Sequence, residues 1–160
     1  MTPLYPALLA AVSFALPNGQ TAPVAHIRRL GPAYVAELAE HIEQAALVHG
    51  IEPELLAALL VEESGLNPAA VNAYSGSWGI AQLNPRGKWS RVARRECARA
   101  PRLCRWHEVF MAAELLRLAL DTCGDELLGV GHYRRGRCQA GKRDLRVLRL
   151  RDRMRSRGQS

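Results

Sequence analysis

Residues 59–85 read LLVEESGLNPAAVNAYSGSWGIAQLNP, and the reading of this stretch decides the fold. It begins as the end of an apolar helix and breaks at Glu63-Ser64-Gly65. A loop containing Pro68 follows, then a turn rich in Gly, Ser and Trp, then Ile80-Ala81-Gln82-Leu83. Two carboxylates, Glu62 and Glu63, stand where the helix stops, and no Asp or Glu follows from Ser64 to Arg95. Adjacent helical residues point about 100° apart, so only one of the two faces the same way as the break. Glu63, next to the break, is the better placed.

Working outward, Pro53 at a first-turn position opens this helix over 53–64, with Leu55, Leu56, Leu59 and Leu60 apolar and Gly65 as its stop. Upstream, Pro32 opens a helix carrying Val35, Leu38, Ile42, Ala45 and Ala46 on one face and ending at Gly50. Downstream, a short hairpin is expected around residues 74–79. Helices follow over 85–98, over 106–123 with Val109, Phe110, Ala113, Leu116 and Leu120 inward, and after the capping residue Asp125. Residues 132–136 turn the chain into a basic amphipathic helix over 142–157 with Val147, Leu150 and Met154 on its apolar side.

The 160 residues suit one domain with one core. Ala, Leu and Arg abound and Val/Ile/Thr runs are scarce, so the fold is mainly α. Residues 1–30 read as a leader, either a weak signal peptide with an apolar core at 4–16 or a disordered segment. Residues 31–140 form the domain and 141–160 a basic C-terminal helix or tail. No apolar run reaches the ~18 residues of a membrane span.

The charge of +7 is lopsided. Residues 1–85 hold Arg28 and Arg29 against seven Glu; residues 86–160 hold twenty Lys and Arg against eight acids, so the halves carry −5 and +12. A basic lobe suits a polyanion such as nucleic acid, anionic membrane or wall polymer, or is simply a solvated surface. Arg149, Arg151, Arg153 and Arg155 are the expected contacts to wall polymer. Cys97, Cys104, Cys123 and Cys138 permit two disulfides, or are reduced core residues. Pairing Cys97 with Cys104 requires the chain to fold back, which Pro101 favours. No cysteine pair has zinc-ligand spacing and no nucleotide loop appears, so neither metal nor cofactor is expected.

A carboxylic acid at the end of a buried helix is partly desolvated, which raises its pKa and keeps it protonated as a general acid must be. Glycoside hydrolysis normally employs two carboxylates flanking the bond. Here a second one has to come from far along the chain, for example Asp121 or Asp125, so a one-carboxylate mechanism is favoured.

Glu63-Ser64-Gly65, Asn67-Pro68, Ala70-Val71, Gly76-Ser77-Trp78-Gly79-Ile80-Ala81-Gln82-Leu83 and Pro85 resemble the signature of the soluble lytic transglycosylases, lysozyme-like enzymes related to goose-type lysozyme. That pattern runs Glu-Ser-Gly, Asn-Pro, Ala-Val-Ser, Gly-Ala-x-Gly-x-x-Gln-x-x-Pro and later Ala-Tyr-Asn-Ala-Gly, which His132-Tyr133-Arg134-Arg135-Gly136 resembles. The likeness covers roughly residues 35–140. Departures are Asn72 for Ser, one extra residue before Gly76, Asn84 for a common Met and Arg134 for Asn.

The resemblance implies a lysozyme-like single domain with a hairpin or loop region beside the catalytic helix. It implies cleavage of the β-1,4 bond between N-acetylmuramic acid and N-acetylglucosamine, leaving a 1,6-anhydro end, in the periplasm or outside the cell. By motif position Glu63 is the acid and base, Ser64 and Gln82 line the cleft, and the Tyr133 hydroxyl meets the carboxylate or the sugar. Tyr74 and Trp78 are candidates to stack on sugar rings, with Trp78 alternatively a core residue under the hairpin; Trp89 and Trp106 read as core. The alternatives are a hydrolytic muramidase and a non-catalytic basic module binding wall or nucleic acid. The partners are glycan strands of peptidoglycan, with no nucleic acid expected. A monomer is expected, and service in remodelling, in a secretion or conjugation assembly, or in a phage stays open.

Overall fold

Three helices packed around a fourth organise the molecule. A computed structural model describes residues 4–8, 22–100 and 103–158. After the helical residues 4–8, six helices follow in order: α1 (Ala22–His49), α2 (Pro53–Ser64), α3 (Lys88–Arg99), α4 (Cys104–Cys123), α5 (Glu126–Arg135) and α6 (Lys142–Gly158). The fold is mainly α, as the composition requires. No strand forms among the described residues.

The helix α2 follows from its sequence. Pro53 at the first position has its φ preset and lacks only an N–H that would be unpaired there. Every residue from Leu55 to Val61 is buried, so this helix is apolar all round. It is wrapped by α1, α4 and α6. Gly65 ends it in the left-handed region at φ 60°, returning its N–H to Val61 O at 2.8 Å. The break therefore falls immediately after Glu63-Ser64.

The helix α1 starts at Ala22, ahead of Pro32, where the sequence placed its beginning. Proline's φ is itself helical, and Pro32 lies inside the helix. Most of the 1–30 leader lies outside the described residues. Of the rest, residues 4–8 are helical with Leu4, Ala7 and Leu8 buried in the core, and Leu4 N–H donates to Glu43 at 2.6 Å.

Packing of α4 against α1, α3 and α5 supplies the other half of the core through Val109, Ala112, Ala113 and Leu116. The N-terminal cap of α5 is Asp125, whose carboxylate accepts from Leu128 N–H. Residues 132–135, expected as a turn, are the last turn of α5, and Gly136 ends it at φ 73°.

Helix α6 lies across α2 and α5, burying Val147, Leu150 and Met154. Two of the four arginines expected to meet wall polymer are held internally. Arg151 pairs with Glu126 and Asp152, and Arg155 pairs with Glu52 at the start of α2. The amphipathic pattern of this segment was legible; of the acids that pair with it, Asp152 is its own, while Glu126 comes from α5 and Glu52 from the cap of α2.

The cysteines form two disulfides, Cys97–Cys104 and Cys123–Cys138, with Cα atoms 4.4 and 5.5 Å apart. The first joins α3 to α4 around Pro101, which lies outside the described residues. The second ties the end of α4 to the segment after α5.

Candidate active site

The loop after α2 is built from local turn chemistry. The Asn72 side chain accepts from the N–H groups of Tyr74 and Ser75 at 2.9 and 3.0 Å, and its carbonyl accepts from Gly76 at 2.8 Å. Asn at this position thus caps the turn that is one residue longer than the family pattern. Two isolated antiparallel bridges, Val71 with Trp78 and Trp78 with Leu83, replace the expected hairpin. Asn84 does the same service further on, accepting from Arg86 N–H at 2.9 Å ahead of α3.

The segment 79–82 is then fixed from three sides. Ser64 Oγ donates to Ile80 O at 2.7 Å, tying the end of α2 to it. Tyr133 Oη donates to Ala81 O at 2.9 Å from α5. From α4, the buried Glu108 carboxylate lies against Gly79 and the Ile80 backbone. Gly79 sits at φ 76°, and a Cβ there would lie 1.6 Å from Glu108 Oε1, so only glycine fits. Gln82, at φ 50°, donates its amide to Gly79 O and Ala70 O.

A cavity of ≈ 500 Å³ opens between this loop, the start of α3 and the end of α5. Among the described residues lining it, Glu63 is the one acid; Gln82, Tyr133, Arg134, Asn72 and Trp89 also face it. The two neighbouring glutamates are thereby separated. Glu62 receives Arg143 and Arg146 of α6 at 3.0 and 2.7 Å, whereas Glu63 points into the cavity. Burial pushes the Glu63 carboxyl above its ordinary value, against the pull of Arg134 and Arg143. Arg134 Nε lies 2.6 Å from Glu63 Oε1, a close charge contact without hydrogen-bond alignment.

The sequence-derived candidates separate by position. Glu63, Gln82 and Tyr133 meet at the cavity. Ser64 anchors the loop from behind through its bond to Ile80. Tyr74 is fully exposed at the turn's tip. Trp78 donates its indole N–H to Ser90 Oγ at 2.6 Å, carries the Arg94 guanidinium over its ring at 5.1 Å, and packs on the core. Its alternative reading as a residue under the loop describes that placement. Trp89, read as core, packs there too but also borders the cavity. Tyr133's hydroxyl bonds the loop instead of Glu63; burial and the charges of Glu63 and Glu108 hold it protonated.

Neither carboxylate considered as a second one reaches the cleft: Asp121 pairs with Arg117 and Asp125 caps α5. The buried carboxylate that sequence reading missed is Glu108, only 2% exposed. Its signal was a charge on the apolar stripe of α4, one residue before Val109 and four before Ala112. Burial pushes its carboxyl up to about 7. Asp144, fully buried beneath Arg134 and Arg135, was also missed.

Residues 40–147 match the family profile described as the Transglycosylase SLT domain. Neither a curated protein nor a solved structure matches the chain significantly. The match spans more than half of the chain, and the protein belongs to this family, whose function is of the lytic transglycosylase type on peptidoglycan.

Proposed function

We propose that this member of the transglycosylase SLT domain family cleaves the β-1,4 bond between N-acetylmuramic acid and N-acetylglucosamine without water, with Glu63 as its single acid and base. The observation that carries this reading is the solitary position of Glu63 among the acids at the cavity, in surroundings that raise its pKa. Protonated Glu63 gives its proton to the leaving O4 as the C1–O4 bond breaks. The carboxylate then takes the proton of the muramyl C6 hydroxyl as that oxygen closes on C1. The proton returns to Glu63, so no protein nucleophile and no second carboxylate are needed.

Gln82 and Tyr133 border the reacting bond, and Tyr74 at the exposed tip stacks on a sugar of the strand lying across the loop. Trp78 is left out of sugar binding, because Arg94 covers its ring. The two disulfides suit an oxidising, wall-facing location, periplasmic or extracellular. Among the described residues no helix is long and apolar enough to cross a membrane.

The test is digestion of purified peptidoglycan with mass spectrometry of the soluble fragments. Fragments that lack one water and resist borohydride reduction are expected. Reducible ends would overturn the reading in favour of hydrolysis, and no fragments from folded protein would favour a binding module.

Attraction to the wall then belongs to α3 more than to α6. Lys88, Arg91, Arg94, Arg95 and Arg99 are exposed along α3 with Glu96 as the one acid, and this ridge begins at the cavity's edge beside Trp89. Replacing Arg91, Arg95 and Arg99 together by Gln is expected to weaken retention on purified sacculi at low salt. The difference should vanish near 1 M salt, where the screening length is about 3 Å. Equal retention of variant and wild type at every ionic strength would remove the ridge from wall binding.

A further inference from the structure

Arg134 stands where the family pattern has Asn, and it is not a surface residue: its side chain is 8% exposed. It lies between two carboxylates. Nε is 2.6 Å from Glu63 Oε1, and Nη1 is 3.3 Å from Asp144 Oδ1. Asp144 comes from the first turn of α6, is fully buried and does not face the cavity. It is itself held by the Arg135 guanidinium and by Gly141 N–H at 2.7 Å.

We propose that Arg134 is a positioning residue that governs when Glu63 holds its proton, with Asp144 drawing part of the guanidinium's charge away. The proposal rests on Glu63 being the acid and base. An arginine paired with Glu63 alone would hold it ionised and remove the acid needed to protonate the leaving oxygen. With a buried anion on its other side, the guanidinium pulls on Glu63 less strongly. Once Glu63 has given its proton, the same guanidinium stabilises the carboxylate that receives the C6 hydroxyl proton. Both charged departures from Ala-Tyr-Asn-Ala-Gly, Arg134 and Arg135, are thereby matched by one counter-charge on α6, Asp144.

Other groups face Glu63 as well. Glu62 precedes it on α2, but Arg143 and Arg146 of α6 offset that charge. Arg143 also acts on Glu63 directly. From α5, His132, Tyr133 and Arg135 border the same cavity, and Glu108 of α4 lies beyond Tyr133. Among the described residues, only Arg134 contacts the Glu63 carboxylate as an ion pair.

The experiment compares wild type, Arg134→Gln, Arg134→Lys and Asp144→Asn by pH–rate profile and by ¹³C NMR titration of the Glu63 carboxyl, assigned with Glu63→Gln. An opposite charge in contact lowers a carboxyl by about 1–3 units. Arg134→Gln is therefore expected to move the alkaline limb and the Glu63 midpoint up by at least about one unit. Asp144→Asn is expected to move both down, and Arg134→Lys to stay near wild type. A rate loss in Arg134→Gln with an unmoved midpoint would overturn the proposal, as would shifts of the same sign in the two charge-removing variants. Should Asp144→Asn fail to fold, the contrast between Gln and Lys at 134 decides. An inactive wild type, or an active Glu63→Gln, would sink the reaction assignment instead, and the NMR titration would still report whether Arg134 sets the Glu63 proton.

Discussion

Glu63→Gln is expected to lower the release of soluble fragments from peptidoglycan by roughly 10²–10⁴-fold, the range that positioned proton transfer contributes. Gln keeps the shape of the side chain in the cavity and abolishes both the proton to be given and the base that takes one back. The control is the adjacent residue. Glu62→Gln removes a carboxylate that faces Arg143 and Arg146, not the cavity, and is expected to retain most activity. Rates from purified peptidoglycan, with melting curves to verify folding, make the comparison. If Glu63→Gln stayed within tenfold of wild type, or if Glu62 proved the more sensitive, the acid would have to be sought elsewhere.

A second large effect is expected from Glu108, and it concerns stability. Burial raises its carboxyl from 4.5 to about 7. The folded state thus binds a proton over a pH range in which the unfolded chain has lost it. The contribution to stability is fully present below about pH 4.5 and is lost as pH rises through about 7. At 1.36 kcal/mol per unit, the difference amounts to about 3 kcal/mol. Glu108→Gln keeps the shape of the side chain beside Ile80 and has nothing to titrate. Its stability is expected to fall less between pH 5 and 8, by up to that amount, leaving the slope that Glu63 contributes in the same direction. Urea unfolding of both proteins at several pH values provides the measurement. Identical pH slopes would show that Glu108 does not carry the effect. Because Glu108 secures the segment that Tyr133 and Ser64 also hold, the experiment also reports how the cavity floor is maintained.

Much of the fold was legible because its signals are local. Pro53 and Gly65 bound α2 by backbone geometry alone, and the apolar periodicity of 106–123 and 142–157 names the buried faces of α4 and α6. Asp125 caps the helix it precedes. The site motif was legible for the same reason: Glu63 and Gln82 belong to one continuous stretch whose turns follow from Asn, Gly and Ser. The start of α1 was misplaced since proline interrupts a hydrogen bond without forbidding a helix on its N-terminal side.

By itself, then, the sequence determined a mainly helical single domain, a carboxylate at a helix break and a loop shaped to face it. Tertiary structure decided which of Glu62 and Glu63 faces the cavity, because α6 brings Arg143 and Arg146 to one of them. It decided that Trp78 supports the loop, through Ser90 and Arg94 of α3. It also decided that Glu108 is buried against Gly79, and that Arg134 is shared between Glu63 and Asp144. Periodicity and turn chemistry act over a few residues along the chain. Charge pairing and burial act over a few ångströms in space, between helices whose relative placement no local pattern encodes.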